Sequence, residues 1–542
     1  MTPARFLFLL FCVSALLTSC KRESDVVVAA REGILLLGNG AEPATLDPQV
    51  ATGVPEHNIL GALMEGLTNH SPTKDFVMDP GVAESWEHVD HRIWTFQLRA
   101  DAKWSNGDPV TAKDFMFSWQ RILEPALASQ YAQMLYLMKG ARAYNKGDLK
   151  DFSQVGCRAV DERTIEIELS EPTPFFPQFL GHYSWFPVHE ATVRAHGEVY
   201  DLNNPWAKEG RFVGNGAFNL SEWKMSQLIR VTKSETYWDR ANVALNEVHF
   251  FPIENENTEE RAFQGGQLHA TSILPLAKIP VYRDEYPEFF RSDPNYATYF
   301  YRINVTEKVL ENREIRHALS LAIDRQQLVE KLLNGSPRPA TGLVPSGLEG
   351  YKTAEQLRFD PEYAANVLAK AGYPNGEGFP PMEILINTME AHRQIAEVIQ
   401  EMWRNHLGIE VTIRNEAWKV YLESQRLKKY QISRAGWNAD YLDPTTFLEM
   451  FIKDGGNNNT GWSSAPYERL LDQARSETDP ARRFAILGQA EELLLNEMPI
   501  IPIYWYTRVR AVRPEVEGWN SSLIDTHPLK HVSLKGAAVA TP

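Results

Sequence analysis

"HRQIAEVIQEMWRNHLGIEVTIRN", His392 to Asn415, changes its period in the middle. Up to Leu407 the apolar residues Ile395, Val398, Ile399, Met402 and Leu407 fall near helical spacing, and Gly408 stands where a left-handed C-cap belongs. From Ile409 the spacing drops to two, so that Ile409, Val411 and Ile413 share one face of a strand. A helix that hands its chain directly to a strand is an α/β unit. A second follows, with Phe484 to Leu495 as helix and "IIPIYWY" from Ile500 as strand, and a helix predicted from Ile315 to a capping Gly335 precedes the first. The C-terminal half therefore reads as helices covering a sheet. Further forward, "IWTFQLR" from Ile93 and "RTIEIELS" from Arg163 alternate as half-buried strands, between connections rich in Pro and Gly. The predicted fold class is α/β of the mixed α+β kind.

With 542 residues and 43% hydrophobic content the chain can bury ample core, and its length suggests about three domains. A net charge of -15 argues against nucleic acid, whose phosphates require a basic surface. At the front, Arg5 precedes an apolar run from Phe6 to Val13 that continues to Leu17, the pattern of an export signal and too short for a permanent membrane span. "LTSC", Leu17 to Cys20, resembles a bacterial lipobox, which implies removal of residues 1–19 and lipid on Cys20; an ordinary signal peptide with an incidental cysteine is the alternative. Of the 3 Cys, Cys12 leaves with the signal and Cys20 carries the lipid, so Cys157 has no partner; a disulfide framework and a multi-cysteine metal site are both excluded.

There is no HExxH, no G-x-S-x-G elbow and no P-loop, and "GNGAEP" at Gly38 and "GNGAF" at Gly214 lack the third glycine of a dinucleotide fingerprint, so both read as turns. No cofactor and no enzyme activity are expected. The unusual stretch is "RAGWNADYLDP", Arg434 to Pro444, which sets Asp440 amid aromatic bulk. An unpaired carboxylate is costly to desolvate there, so a cation has to meet it, supplied either by the protein or by a ligand.

Longer strings then decide the reading. "DPGVAESWEHVDHRIWTFQLRADAKWSNGDPVTAKDFMFSWQRIL" from Asp79, "GNGAF", "SETYWD" from Ser234, "IRHALSLAIDRQQLV" from Ile315 and "AGWNADYLDPTTFLEM" from Ala435 occur in order over essentially the whole mature chain. They resemble the solute-binding proteins of peptide ABC importers, in particular the oligopeptide-binding members of Gram-negative bacteria. The resemblance implies three domains in two lobes that close on a ligand by a hinge. One lobe would comprise residues 20–64, 191–296 and 507–542, a second domain residues 65–190, and a C-terminal lobe residues 297–506. It also implies a lipid-anchored, monomeric receptor of the periplasm or cell envelope that takes short peptides to a permease and its ATPases. Dipeptide, murein-peptide, nickel-complex or haem binding, and sensing without transport, remain open alternatives.

Carried over residue by residue, the resemblance gives Asp440 the peptide's α-ammonium. Thr52, Gly53 and Val54 would offer backbone from one lobe, with Gly436, Trp437 and Asn438 facing them from the other; Trp437 would also wall a side-chain pocket, and Tyr131 would touch ligand backbone. Arg434, Lys331 and His392 would meet the C-terminal carboxylate at different ligand lengths, and Tyr504 and Tyr506 would border the site. Three positions depart from the pattern: Arg302 stands where an acid is usual, Thr52 replaces a glutamate, and Asn438 replaces a cysteine. If the first two border a pocket, Lys- and Arg-rich peptides are disfavoured and acidic ones better tolerated.

Overall fold

The protein is described by a computed structural model that covers residues 23–536, so the apolar leader and the predicted lipid site Cys20 lie outside the described residues. Among the described residues three larger sheets organise the chain. The first runs Ile34–Gly38, Glu247–Phe251, Leu228–Lys233 and Phe218–Lys224, with only the outer pair parallel. The second is an antiparallel sheet of Ala83–Val89, Ile93–Leu98, Thr164–Glu168 and Cys157–Ala159, within the segment assigned to the second domain. The third has six strands in the order Arg338–Pro339, Ile500–Ala511, Phe290–Ile303, Ile432–Asn438, Met382–Asn387 and Val411–Glu416.

The opening stretch folds as its periods require. Helix Glu390–Leu407 ends on Gly408, whose φ of 68° is the left-handed conformation of a C-cap, and strand Val411–Glu416 follows in parallel with Met382–Asn387. The second unit starts earlier than expected, as helix Pro480–Glu497, because the Asp479 side chain accepts from the Arg482 N–H at 2.8 Å and Pro480 suits the first turn. The helix predicted from Ile315 to Gly335 is corrected: it is two helices, Arg313–Leu321 and Arg325–Lys331. Asp324 breaks it, since its carboxylate accepts from the Gln327 N–H at 2.9 Å and an aspartate is worth more as an N-cap than inside a helix.

Strands Phe290–Ile303 and Ile500–Ala511 run between two hydrophobic clusters. Their outer ends, Phe290, Val509 and Ala511, pack with Phe263, Leu268 and Leu274, whereas Tyr299, Tyr301, Ile303, Ile501 and Ile503 belong to the core of the C-terminal lobe. The expected domain boundaries at 297 and 506 thus fall inside paired strands, close to where the ladder is irregular between Pro294 and Thr298. A proline donates no ladder hydrogen bond, so this is the natural point of weakness in the ribbon.

Cys157 is buried in the second domain, and burial pushes its thiol up to about 12, the behaviour of a small core residue. Among the described residues no helix is long and apolar enough to cross a membrane, and no group of three or more His, Cys, Asp or Glu could hold a metal ion.

Candidate binding cleft

Strand Ile432–Asn438 pairs along its whole length with Phe290–Ile303 on one edge, but on the other edge Met382–Asn387 covers it only at Ile432 and Ser433. Beyond Ser433 that edge is open. The Arg434 carbonyl, on the open side, accepts from the Gln425 amide at 2.9 Å and from the Tyr421 hydroxyl. Backbone groups alternate in direction along a strand, so Gly436 and Asn438 present their N–H and C=O to the same side. At Gly436 the absence of a Cβ leaves room for neighbouring side-chain ends, since a Cβ would stand 2.9 Å from the Tyr506 hydroxyl and 3.2 Å from Arg434 Nη2. Past the Arg434 carbonyl, the edge at Gly436 and Asn438 is therefore not covered by a neighbouring strand.

Asp440 lies just past the end of this strand. Its side chain is only 11% exposed, and Oδ1 accepts from the Tyr131 hydroxyl at 3.3 Å and lies 3.3 Å from His182 Nε2. His182 Nδ1 faces Ser184, 3.3 Å from its backbone N–H and 2.8 Å from Oγ, so Nε2 is the nitrogen turned to Asp440. Thr446 Oγ1 accepts from the Asp440 N–H at 3.0 Å and fixes the backbone. Among the described residues no lysine or arginine forms an ion pair with Asp440, whereas Asp443, three positions on, is clasped by Arg483 at 2.7 and 2.9 Å. Within one short loop the protein pairs one carboxylate with an arginine and sets a tyrosine and a histidine against the other.

Tyr131 and His182, from the segment expected to form a second domain, lie against this end of the strand. Tyr131 packs 6.0 Å from the Trp437 ring and 5.0 Å from His182, and Trp437 Nε1 approaches Thr446 Oγ1 at 3.4 Å. From the first lobe comes the segment Thr52, Gly53 and Val54. Gly53 sits so close to the C-terminal lobe that an added Cβ would lie 2.6 Å from Trp418 and 2.2 Å from Glu56 Oε2. Trp418 Nε1 donates to Glu56 Oε1 at 3.3 Å, a hydrogen bond between the lobes. Glu56 is fully buried, and burial holds its carboxyl up at about 7.

Two arginines flank the strand on opposite faces. Arg434 donates to the Tyr506 hydroxyl at 2.8 Å and to Asn387 Oδ1 at 3.2 Å and lies 4.9 Å over the Tyr299 ring, while its Nε has no partner. Tyr504 stacks on Tyr299 at 4.7 Å and His392 packs against it at 5.5 Å. Burial first, and then the Arg434 charge, hold His392 well below the usual histidine range, so it joins this wall as a neutral ring with Nδ1 unpartnered. On the other face Arg302 is buried and donates to Gln425 Oε1 at 2.9 Å. Lys331 stands apart, exposed at the end of its helix and without a contact to any of the other candidates.

The structure brings Tyr131 and Trp437 to Asp440, sets Arg434, His392, Tyr504 and Tyr506 around Tyr299, and places Gly53 against Trp418. Sequence reasoning missed Glu56 and His182, as well as Trp418, Tyr421 and Gln425. The last three carried a signal, since positions i, i+3 and i+7 lie on one face of helix Trp418–Arg426. Glu56 and His182 carried none, because their significance lies in partners hundreds of positions away.

A family described as "Bacterial extracellular solute-binding proteins, family 5 Middle" matches residues 77–459. The periplasmic oligopeptide-binding protein OppA of Escherichia coli is 34% identical over 502 residues, 91% of each chain. Among solved structures, Haemophilus influenzae OppA in complex with the peptide RPPGFSPFR superposes with a TM-score of 0.89 at 31% identity, covering 93% of this chain and 99% of that one. The Escherichia coli murein tripeptide binding protein MppA, 32% identical, also gives 0.89 in one structure, with 93% and 99% of the two chains covered, but only 0.61 in its unliganded open form, with 93% and 98% covered. The chain thus superposes more closely on the peptide complex than on the open form. By the match across its middle and the identity maintained along nine-tenths of its relatives, the chain belongs to family 5 of the bacterial extracellular solute-binding proteins.

Proposed function

We propose that this protein is a receptor that captures short peptides in extended form between its lobes and delivers them to an ABC importer, while a lipid on Cys20 tethers it to the bacterial envelope. The observation that carries the reading is Asp440: a nearly buried carboxylate, faced by Tyr131 and His182 and by no lysine or arginine among the described residues, beside an open strand edge. A peptide offers what both features want. Its backbone extends the sheet at Gly436 and Asn438 with hydrogen bonds that any sequence can make, and its α-ammonium supplies the charge for Asp440. The wall of Arg434, neutral His392, Tyr504 and Tyr506 suits the C-terminal carboxylate of a short ligand, with exposed Lys331 available to a longer one. Thr52 to Val54 and Tyr131 supply the opposite side, and Trp437 bounds a side-chain pocket. Peptide-binding names among the relatives, OppA and MppA, support the same class of ligand. The lipid tether, in turn, needs several acyl chains to hold firmly, as a lipobox modification provides.

Native mass spectrometry of the chain from Lys21, purified from a bacterial host, tests the reading. Diverse adducts of short-peptide mass that thin out in Asp440→Asn are the expected result. A single discrete adduct, or a protein that ignores added tri- and tetrapeptides, overturns it.

A further inference from the structure

The buried arginines of this fold differ in how they are satisfied. Arg121 is paired with Asp47 at 2.8 Å. Arg325 has no carboxylate but donates to the carbonyls of Pro502 and Ser320 at 2.7 and 3.1 Å and to Ser320 Oγ at 2.8 Å. Arg316 donates to the carbonyls of Leu310, Glu311, Glu497 and Met498. These are structural: every edge of the guanidinium finds oxygen. Arg302, only 5% exposed, does not fit the pattern.

Its Nη1 is held by Gln425 Oε1 at 2.9 Å, and Gln425 is in turn fixed through its own amide by Tyr421, Ser433 and the Arg434 carbonyl. That leaves the other edge of the fork, Nη2 with Nε. Nη2 meets only the Met450 sulfur at 3.6 Å, a weak acceptor, and Nε meets nothing. An Nε–Nη2 edge is the geometry that receives a carboxylate with two parallel hydrogen bonds. Among the described residues no carboxylate of the chain comes within ion-pair distance of it. A buried guanidinium whose bidentate edge is turned to a thioether is built for an anion that the protein does not supply.

The strand register says where that anion comes from. Arg302 stands opposite Ser433, Phe300 opposite Ala435 and Thr298 opposite Trp437, so Arg302 and Trp437 share one face of the strand pair, the face against which Tyr131 packs. Arg434 projects from the other face. A peptide extended along the open edge sends alternate side chains to the two faces, so one face reaches Arg434 and the other Arg302. We infer that Arg302, oriented by Gln425, forms a selectivity pocket for an acidic side chain, aspartate or glutamate, among the first three residues of the bound peptide. The inference rests on the peptide reading above and adds to it a charge preference that backbone recognition alone cannot give.

The test is isothermal titration calorimetry of the chain from Lys21, refolded to remove carried-over ligand, with Glu-Ala-Ala, Ala-Glu-Ala and Ala-Ala-Glu, each against its Gln counterpart. The terminal charges are common to both members of a pair, so the ratio of Kd values reports the side-chain carboxylate alone. At one position the Glu peptide is expected to bind at least tenfold tighter, and in Arg302→Gln that ratio falls to within threefold of one. Using a ratio makes the result independent of any general loss of affinity in the variant. Equal binding of Glu and Gln peptides at all three positions, or a preference that survives in Arg302→Gln, overturns the pocket while leaving the peptide reading standing. If no tripeptide binds at all, the peptide reading itself falls and the pocket with it. An Arg302→Gln loss equal for every peptide would assign Arg302 to the terminal carboxylate or to the scaffold instead.

Discussion

Replacing Asp440 with asparagine removes one charge and little else. The shape is kept, and an amide oxygen can still accept from Tyr131 and His182, the two groups at 3.3 Å. Because no arginine or lysine is paired with Asp440, the substitution strands no buried cation, and the melting temperature should stay within about 2 °C of the parent. Binding should respond strongly. A hydrogen bond between charged groups contributes roughly 1.5–3 kcal/mol, which at 1.4 kcal/mol per decade is about a 10- to 150-fold rise in Kd for a free tripeptide. The assay is a double cycle by calorimetry: parent and Asp440→Asn, each with trialanine and N-acetyl-trialanine. Acetylation should cost the parent as much as the mutation does and should cost the variant little, giving a coupling of about 1.5 kcal/mol or more. The neighbouring Asp443→Asn is the contrast, since it breaks the bond to Arg483 and leaves a largely buried guanidinium unpaired; it should lower stability by about 3 kcal/mol. If acetylation weakens both proteins equally, Asp440 does not meet the ammonium and the reasoning is refuted.

Three further outcomes follow from the same structure. Glu56 is a buried acid held up at about 7 against an ordinary 4.5, so the folded chain keeps a proton that the unfolded chain has released, and stability falls as pH rises from about 4.5 to 7. The worth of that shift is about 3 kcal/mol; Glu56→Gln should flatten this slope in urea unfolding at pH 5 and pH 8, and an identical difference between the two proteins at both pH values would count against it. In the chain from Lys21, Cys157 remains as the sole thiol and is pushed up to about 12, so iodoacetamide at pH 8 should leave the native protein unlabelled yet react fully in guanidinium; rapid native labelling would contradict its burial. Arg434→Met should weaken trialanine by roughly tenfold or more but C-terminally amidated trialanine far less, and equal losses for both would remove Arg434 from carboxylate binding.

Much of this was legible without coordinates wherever the determinant is local. The change of period at Gly408 gave helix Glu390–Leu407 and its strand, because a left-handed cap and a two-residue alternation are properties of consecutive residues. Asp440 stood out for a similar reason, as a charge among aromatics. Locality also explains a failure: the apolar periodicity from Ile315 to Gly335 continues across Asp324, but the aspartate's bond to the Gln327 N–H ends one helix and starts another. What the sequence determined by itself is therefore the alternation of elements and the short list of polar residues too awkwardly placed to be ordinary core.

Only the tertiary structure decided how those residues are compensated. Asp440 and Asp443 are three positions apart and chemically identical, yet one finds Arg483 and the other does not, because helix Pro480–Glu497 packs beside the second and the second domain beside the first. Five buried arginines look alike in the sequence, and only folding shows that Arg121 and Arg510 meet carboxylates and Arg316 and Arg325 meet carbonyls, while Arg302 keeps its bidentate edge for something else. Glu56 meets Trp418 across 362 positions of chain, and no local pattern encodes that encounter. Burial turns each of these differences into energy: a charge in water is indifferent to its neighbours, whereas a charge removed from water must be answered by a specific atom, and which atom is available depends on the packing of segments far apart in the chain.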